Sequence, residues 1–335
     1  MVQAGKNEFA LSIITAGIYS VTAITKQGTI CYKVICTDAS ESVNKIQYLG
    51  TGSSKHSHQN DQNNSFQPGL KTSQTGYTLG YASGEIILFK CYRGIYTTVV
   101  TDSPVESKNY EVEFAACTDP DGKNYSIVKI GEQTWMAENL AYLRSVVPSS
   151  EGSDITSYYY VYGYEGRSII SAKATANFAS YGVLYNWVAA KYACPSGWYL
   201  PSDEEWKTLE QVLDMSESDA NTEGLRFSGA VGGKLKDIGT TQWASPNAGA
   251  KNTAGFTALP GGTRTFGDGF IDIGNYANLW ASSETGLTGA WVRGVSSDND
   301  GIWRYPIDRR LGFSVRCLKD NVCTEADTGR NGTLR

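Results

Sequence analysis

Two histidines are all that the 335 residues provide, and both, His56 and His58, stand in a polar stretch of Ser, Asn, Gln and Asp. A Ser-His-Asp or Cys-His arrangement would have to draw on one of them. On a strand, His-x-His could hold a metal, but in this stretch two solvated loop histidines are the simpler expectation. The seven cysteines, Cys31, Cys36, Cys91, Cys117, Cys194, Cys317 and Cys323, include no C-x-x-C pair, so neither a structural zinc site nor any cofactor is expected. Their odd number leaves at least one unpaired or bonded to another chain. Polybasic runs are also missing. The 29 Lys and Arg are scattered among 34 Asp and Glu, for a net charge of −5 and a pI near 5.3. That balance argues against nucleic acid, which needs a basic face, and against an anionic membrane surface. No apolar run approaches the ~20 residues needed to span a bilayer, so direct membrane insertion is not expected. The first residues, Met1 to Phe9, lack a charged segment followed by a long apolar one. Either a secretion signal has been removed or the chain uses none, as a phage particle protein would not.

What the chain does have is glycine (36) and tyrosine (21), with Ser, Thr and a modest 19% of charged residues. This composition suits a β-rich, loop-rich extracellular protein, and the length allows two domains with separate cores. Residues 1–115 read as a β domain. Ile18–Ile24 alternates at period two, and Thr29–Cys36 is apolar on both faces, as in a sandwich interior. Glu85–Tyr92 and Tyr96–Val100 flank Arg93-Gly-Ile95, a short hairpin connection, and Tyr110–Phe114 completes the set. Short strands divided by Gly, Ser and Asp predict an immunoglobulin-like β-sandwich, with a long loop at 53–65.

Residues 116–320 mix helices with strands, and 321–335 form a tail. The spacing of Leu184, Trp187, Val188 and Tyr192 predicts a helix over 181–193, stopped by Pro195-Ser-Gly197. A second helix begins after Pro201, with Ser202 as N-cap and Glu205 three residues on, in a capping box. Trp206, Leu209 and Leu213 form its inward face. Beyond Gly232 only short segments follow, so the fold class is α+β.

A series of blocks runs through this second half: Cys117–Tyr125, Gln133–Leu140, Tyr185-Asn-Trp187, Cys194–Trp206, Gly255–Gly262, Trp280-Ala-Ser-Ser-Glu284 and Gly312–Cys317. In this order they resemble the Fibrobacter succinogenes major paralogous domain family over about residues 117–320. The resemblance implies a C-type-lectin-like fold of the formylglycine-generating-enzyme variety, a constant frame around a surface whose side chains are free to change. It also implies a disulfide between Cys194 and Cys317, against the alternative of buried free thiols. The related oxidases keep two cysteines in their cleft, upstream of the closing strand. Here Cys317 lies within the closing block and Cys323 beyond it, so an oxidase-like enzyme is not the leading expectation. The carboxylates Glu204 and Glu205 sit in a helix's first turn, where they stabilise the dipole rather than do acid-base work.

Calcium-dependent sugar binding would need Glu-Pro-Asn or Gln-Pro-Asp and a downstream Trp-Asn-Asp, neither of which is present. Asp119-Pro-Asp-Gly122 and Asp298-Asn-Asp-Gly301 offer oxygens but are more simply tight turns. The remaining candidate is the surface built by residues 276–311. Trp280, Ser282, Ser283, Glu284, Ala290, Trp291 and Arg304 match the family frame, with Trp280 and Trp291 expected in the core. Around them Tyr276, Leu279, Thr285, Leu287, Val292, Gly294, Ser296, Asp298, Trp303, Tyr305, Ile307, Asp308, Arg310 and Leu311 follow no evident periodicity and form the candidate ligand-binding set. Their mixture of aromatics and small polar residues is that of a paratope. Trp303, Tyr305 and Arg310, either exposed or packed inward, are the candidate anchors. In proteins diversified by retroelements, variable positions occupy this part of the fold. The sequence therefore points to a non-enzymatic recognition or adhesion protein of a bacterial surface, or secreted, or of a phage particle. Its ligand would be a protein or a glycan. The alternative is a structural envelope or pilus-associated module assembling through edge strands.

Overall fold

The computed structural model describes residues 85–320, apart from 104, 106–107 and 268, and the strand backbones of residues 9–12, 17–25, 28–36 and 45–51; of 108, 109 and 111 it describes the backbone alone. The expected loop at 53–65 with His56 and His58, and the tail with Cys323, lie outside the described residues.

The period-two segments form β1 (Phe9–Ser12), β2 (Gly17–Thr25), β3 (Gly28–Cys36), β4 (Lys45–Thr51), β5 (Ile87–Arg93), β6 (Tyr96–Asp102) and β7 (Lys108–Glu111). Arg93 faces Tyr96 across a two-residue connection in which Gly94 takes φ 60°, a conformation that suits glycine. Strands run antiparallel in the order β4-β3-β2-β5-β6, while β1 and β7 form a separate parallel pair. Phe89 and Tyr110, with ring centroids 5.3 Å apart, bring that pair against the sheet, and the Tyr110 hydroxyl donates to Asp102 Oδ2 at 2.6 Å. The last strand covers 108–111 rather than 110–114, where it pairs residue for residue with β1, and 112–114 leave the ladder.

The second half contains β8 (Ile127–Ile130), β9 (Gln133–Met136), β10 (Tyr159–Tyr160), α1 (Ile169–Lys173), α2 (Ala176–Tyr181), β11 (Leu184–Tyr185), α3 (Trp187–Ala193) and β12 (Trp198–Tyr199). Next come α4 (Asp203–Val212), α5 (Glu217–Asn221), β13 (Gly224–Arg226), α6 (Val231–Leu235), β14 (Thr263–Arg264) and β15 (Phe270–Ile271). The chain closes with β16 (Tyr276–Thr285), β17 (Gly289–Ser296), β18 (Ile302–Asp308) and β19 (Leu318–Lys319). Helices and sheets together make the fold α+β. Strand pairing crosses residue 115: β6 pairs in parallel with β8, and β9, β19 and β12 extend the same sheet.

The helix expected over 181–193 begins only at Trp187. Gly182, at φ 74°, ends α2, and Leu184–Tyr185 pairs with Tyr160–Tyr159 instead. Asn186 then caps α3, its Oδ1 accepting from the amides of Ala189 at 3.1 Å and Tyr158 at 2.8 Å. Within α3 the buried residues are Trp187, Ala189, Ala190 and Ala193, and Tyr192, off that face, is 76% exposed. The capping box at Ser202 and Glu205 is present, and Trp206 and Leu209 are buried. Trp206 packs on Trp135 and Phe256, with centroids 4.8 and 5.8 Å away.

The ordered blocks of the sequence hold one another. Trp280 Nε1 donates to the Tyr185 carbonyl at 2.7 Å, and Trp187 Nε1 returns a bond to the Ala281 carbonyl at 2.9 Å. Buried Arg316 donates to Asn139 Oδ1 at 2.8 Å and to the carbonyls of Phe256 and Thr257, both at 2.6 Å. Cys194 and Cys317 are joined by a disulfide. Both Asp-rich segments are turns: Asp119 Oδ1 accepts from the amides of Asp121 and Lys123, and Asn299 Oδ1 from that of Gly301. Beside the second turn, Lys236 Nζ donates to the carbonyls of Ala248, Ser296 and Asn299 at 2.8, 2.7 and 2.8 Å. Burial draws its ammonium down to about 8, against the pull of Asp300 and Asp298.

β13-β18-β17-β16 form a second sheet that separates two apolar clusters. Trp280 and Val292 belong to one cluster, Leu279, Val295 and Ile302 to the other. On the second side lies a buried ionic group. Asp203 Oδ1 accepts from Arg293 Nη1 and Oδ2 from Arg304 Nη2, both at 2.7 Å. Glu210 accepts from Arg226 through both oxygens at 2.7 and 2.8 Å and from Arg293 Nε at 2.6 Å. The Arg304 guanidinium also lies 3.6 Å from the Trp291 ring centre. Thus α4 is tied to three strands at once.

Removing one partner from such a group leaves an uncompensated buried charge. Glu210→Gln is expected to lower stability by about 3–5 kcal/mol, read as a fall in the urea midpoint. Burial opposes ionisation of Asp203, but the Arg304 and Arg293 guanidinia outweigh it and bring the carboxyl down to about 2. A depressed carboxyl contributes stability above its ordinary value and loses it as pH falls through the folded one. An acid titration of wild type should therefore show a loss between pH 3.8 and about 2 that Asp203→Asn lacks.

Candidate functional site

Strand alternation sends Arg293 and Arg304 to one side of the second sheet and Gly294, Trp303 and Tyr305 to the other. Asn278, Gly294 and Trp303 lie in one row across β16, β17 and β18. With no side chain at its centre, this row becomes the floor of a cleft of about 440 Å³. Tyr276, Trp303, Tyr305, Ile307, Leu311 and Phe313 line it, with Thr263, Ile271 and Asp272 from the β14–β15 hairpin and Glu223 and Gly224 from the start of β13.

The floor is closed by internal bonds. Tyr305 Oη donates to Asn278 Oδ1 at 3.0 Å, and Asn278 Nδ2 donates to Thr263 Oγ1 at 3.0 Å. A Cβ at position 294 would stand 2.7 Å from Asn278 Oδ1. Gly294 therefore has to be glycine for Asn278 and Tyr305 to meet. Gly262, at φ 70°, plays a similar part behind the hairpin, since a Cβ there would lie 2.6 Å from the Ile271 carbonyl oxygen. Burial raises the Tyr305 phenol well above its ordinary value, with smaller contributions from Tyr276 and Asp272. Desolvation also raises the Asp272 carboxyl.

Of the residues singled out in the sequence, Tyr276, Trp303, Tyr305, Ile307 and Leu311 come together on this cleft. Their periodicity is that of strands, a correction to the sequence reading: Trp303, Tyr305 and Ile307 alternate along β18. Gly294 forms the floor, and Val292 and Ser296, on the same face, are buried. Leu279 points to the opposite face and packs in the other apolar cluster, so it is core. Thr285 and Leu287 lie at the far β16–β17 turn, where Leu287 is 97% exposed. Asp298 belongs to the turn beside Lys236. Arg310 is bound to Asp308, Nη2 to Oδ2 at 2.6 Å, and stacks on Phe266 4.5 Å away, outside the cleft lining.

Glu223, Gly224, Thr263, Ile271, Asp272 and Asn278 were not singled out, and Phe313 stood only as part of the Gly312–Cys317 block. Asn278 carried a signal, a polar residue inside an otherwise apolar strand segment. The others come from segments whose approach to β18 no local pattern records. Cys91 and Cys117 are free and buried, and burial pushes the Cys91 thiol up to about 12 and raises that of Cys117. Among the described residues no group of His, Cys, Asp and Glu is placed to hold a metal ion, and no helix is long and apolar enough to cross a membrane.

A family model described as the Fibrobacter succinogenes major domain matches residues 128–319, a span that contains every residue of the cleft. No curated protein and no solved structure matches the chain.

Gly294→Ala should break the Asn278–Tyr305 bond. The expected cost is about 1–3 kcal/mol, as for overpacking elsewhere, with the Tyr305 phenol titrating nearer its ordinary range. Thermal denaturation and an ultraviolet titration of the tyrosines check both.

Proposed function

The chain belongs to the Fibrobacter succinogenes major domain family, and on that premise we propose that it is a non-enzymatic recognition module that binds its ligand in the cleft on β18. The observation that carries this reading is the convergence of Tyr276, Trp303 and Tyr305 on one open cleft built from separate segments. Aromatic side chains supply contact area at low entropic cost, and Trp and Tyr dominate binding hot spots. The chemistry around them favours binding over catalysis: Tyr305 is held protonated by burial, and the free thiols at Cys91 and Cys117 are raised away from the thiolate that a nucleophile requires.

The finer reading takes the 116–320 region as a C-type-lectin-like head carried on an immunoglobulin-like β domain, displayed at a bacterial surface, secreted or borne on a phage particle. Diversification of the head by a retroelement belongs to the same proposal. Were it to occur, substitutions would concentrate at Tyr276, Trp303, Tyr305, Ile307 and Leu311. Leu279, Val292 and Ser296, which are buried, and Gly294 would stay fixed. Sequencing this segment across many cells of one strain reads that pattern, and substitutions spread evenly over both sets would count against it.

One observation favours a second role in assembly: among the described residues β4 ends a nine-stranded sheet, paired on one side by β3. An edge of that kind can accept another strand. Growth of the oligomer with concentration in sedimentation would support it.

The recognition reading is tested by screening wild type and Trp303→Ala on glycan and peptide arrays. The half-exposed Trp303 side chain makes no hydrogen bond with a described residue, so the variant should remain folded by circular dichroism while the wild-type signals fall at least tenfold, about 1.4 kcal/mol. Signals that survive in the folded variant would remove the cleft as the site.

A further inference from the structure

The cleft is acceptor-rich and its lining is negatively charged. Its lining contains no Lys, Arg or His, but it does contain Glu223 and Asp272, both exposed. Neither carboxylate forms an ion pair or side-chain hydrogen bond with any described residue. The arginines around the cleft are already committed. Arg304 is turned through the sheet to Asp203, and Arg264 donates to the carbonyls of Ser149, Arg310 and Glu151. Arg310 is held by Asp308. On the floor, Asn278 uses both ends of its amide on Tyr305 and Thr263. The rest of the wall is apolar or aromatic: Ile271, Ile307, Leu311 and Phe313 with the rings of Tyr276, Trp303 and Tyr305.

An occupant that satisfies this lining needs an apolar stem for the wall, a cationic end for the two carboxylates, and no demand on the floor. We propose that the cleft receives a lysine or arginine side chain presented by a protein partner. The inference rests on the cleft being the recognition site. A cation gains from the aromatic faces as well as from the carboxylates, and long basic side chains bury their stems while keeping the charge near water. A neutral sugar would leave both negative charges without a counterpart.

The test uses the full chain and follows the Trp303 indole N–H resonance during titration with four probes. These are Nα-acetyl-lysinamide, Nα-acetyl-argininamide, the uncharged Nα-acetyl-norleucinamide and a methyl glucoside. The two basic probes should shift the resonance and saturate, with norleucinamide at least about tenfold weaker. The double variant Glu223→Gln, Asp272→Asn should lose the same factor for the basic probes alone. Both carboxylates are exposed, so the fold should persist, and the unchanged indole spectrum without probe checks it. Equal binding of norleucinamide, or a response to the glucoside alone, would overturn the cationic inference and leave the recognition cleft standing. No response of Trp303 to any probe would overturn both.

Discussion

Two carboxylates on one helix, Asp203 and Glu210, govern how the second sheet is set. Buried charges cannot be left without partners, and here the partners are Arg226, Arg293 and Arg304, one from each of β13, β17 and β18. Arg293 and Arg304 are directly opposite across β17 and β18, where like charges would repel. Asp203 sits between them, its Oδ1 accepting from both and its Oδ2 from Arg304. The register is thereby fixed, because a slip of β18 by one residue would turn Arg304 into the cleft and bury Trp303 and Tyr305 against α4. The cleft exists because its reverse side is anchored by charge.

A second property follows from where the frame places its hydrogen bonds. Trp187, Trp280, Arg316 and Lys236 donate chiefly to backbone carbonyls. Those acceptors stay in place whatever side chains neighbouring positions carry. Frame and cleft are therefore separable: the first depends on main-chain geometry, the second on the side chains at Tyr276, Trp303, Tyr305, Ile307 and Leu311. The exceptions are Gly294 and Asn278, which lie between them and serve both.

Local patterns in the sequence were legible where the physical cause is local. The capping box at Ser202 and Glu205, the hairpin at Gly94 and the alternation along β2 each depend on residues a few positions apart. The helix over 181–193 misled because its apolar spacing ignored Gly182, whose positive φ divides the segment, and Asn186, whose side chain restarts it. The scattered look of the 276–311 set had a similar origin. Three strands with different phases were read as one run, so Leu279, Val292 and Ser296 stood beside Trp303 and Tyr305 without sharing their exposure.

The sequence by itself determined the α+β class, the helix capped by Ser202, the order of the frame blocks and the segment whose aromatics line the cleft. It could do so because spacing, capping and turn chemistry act over short separations along the chain. Only the tertiary structure decided that Gly294 opens a floor between Asn278 and Trp303, and that Glu223 and Asp272 join the lining. It alone set the arginines behind the sheet. These depend on contacts between residues 27 to 101 positions apart, and the strand register that makes them is enforced by buried charge rather than by any local preference.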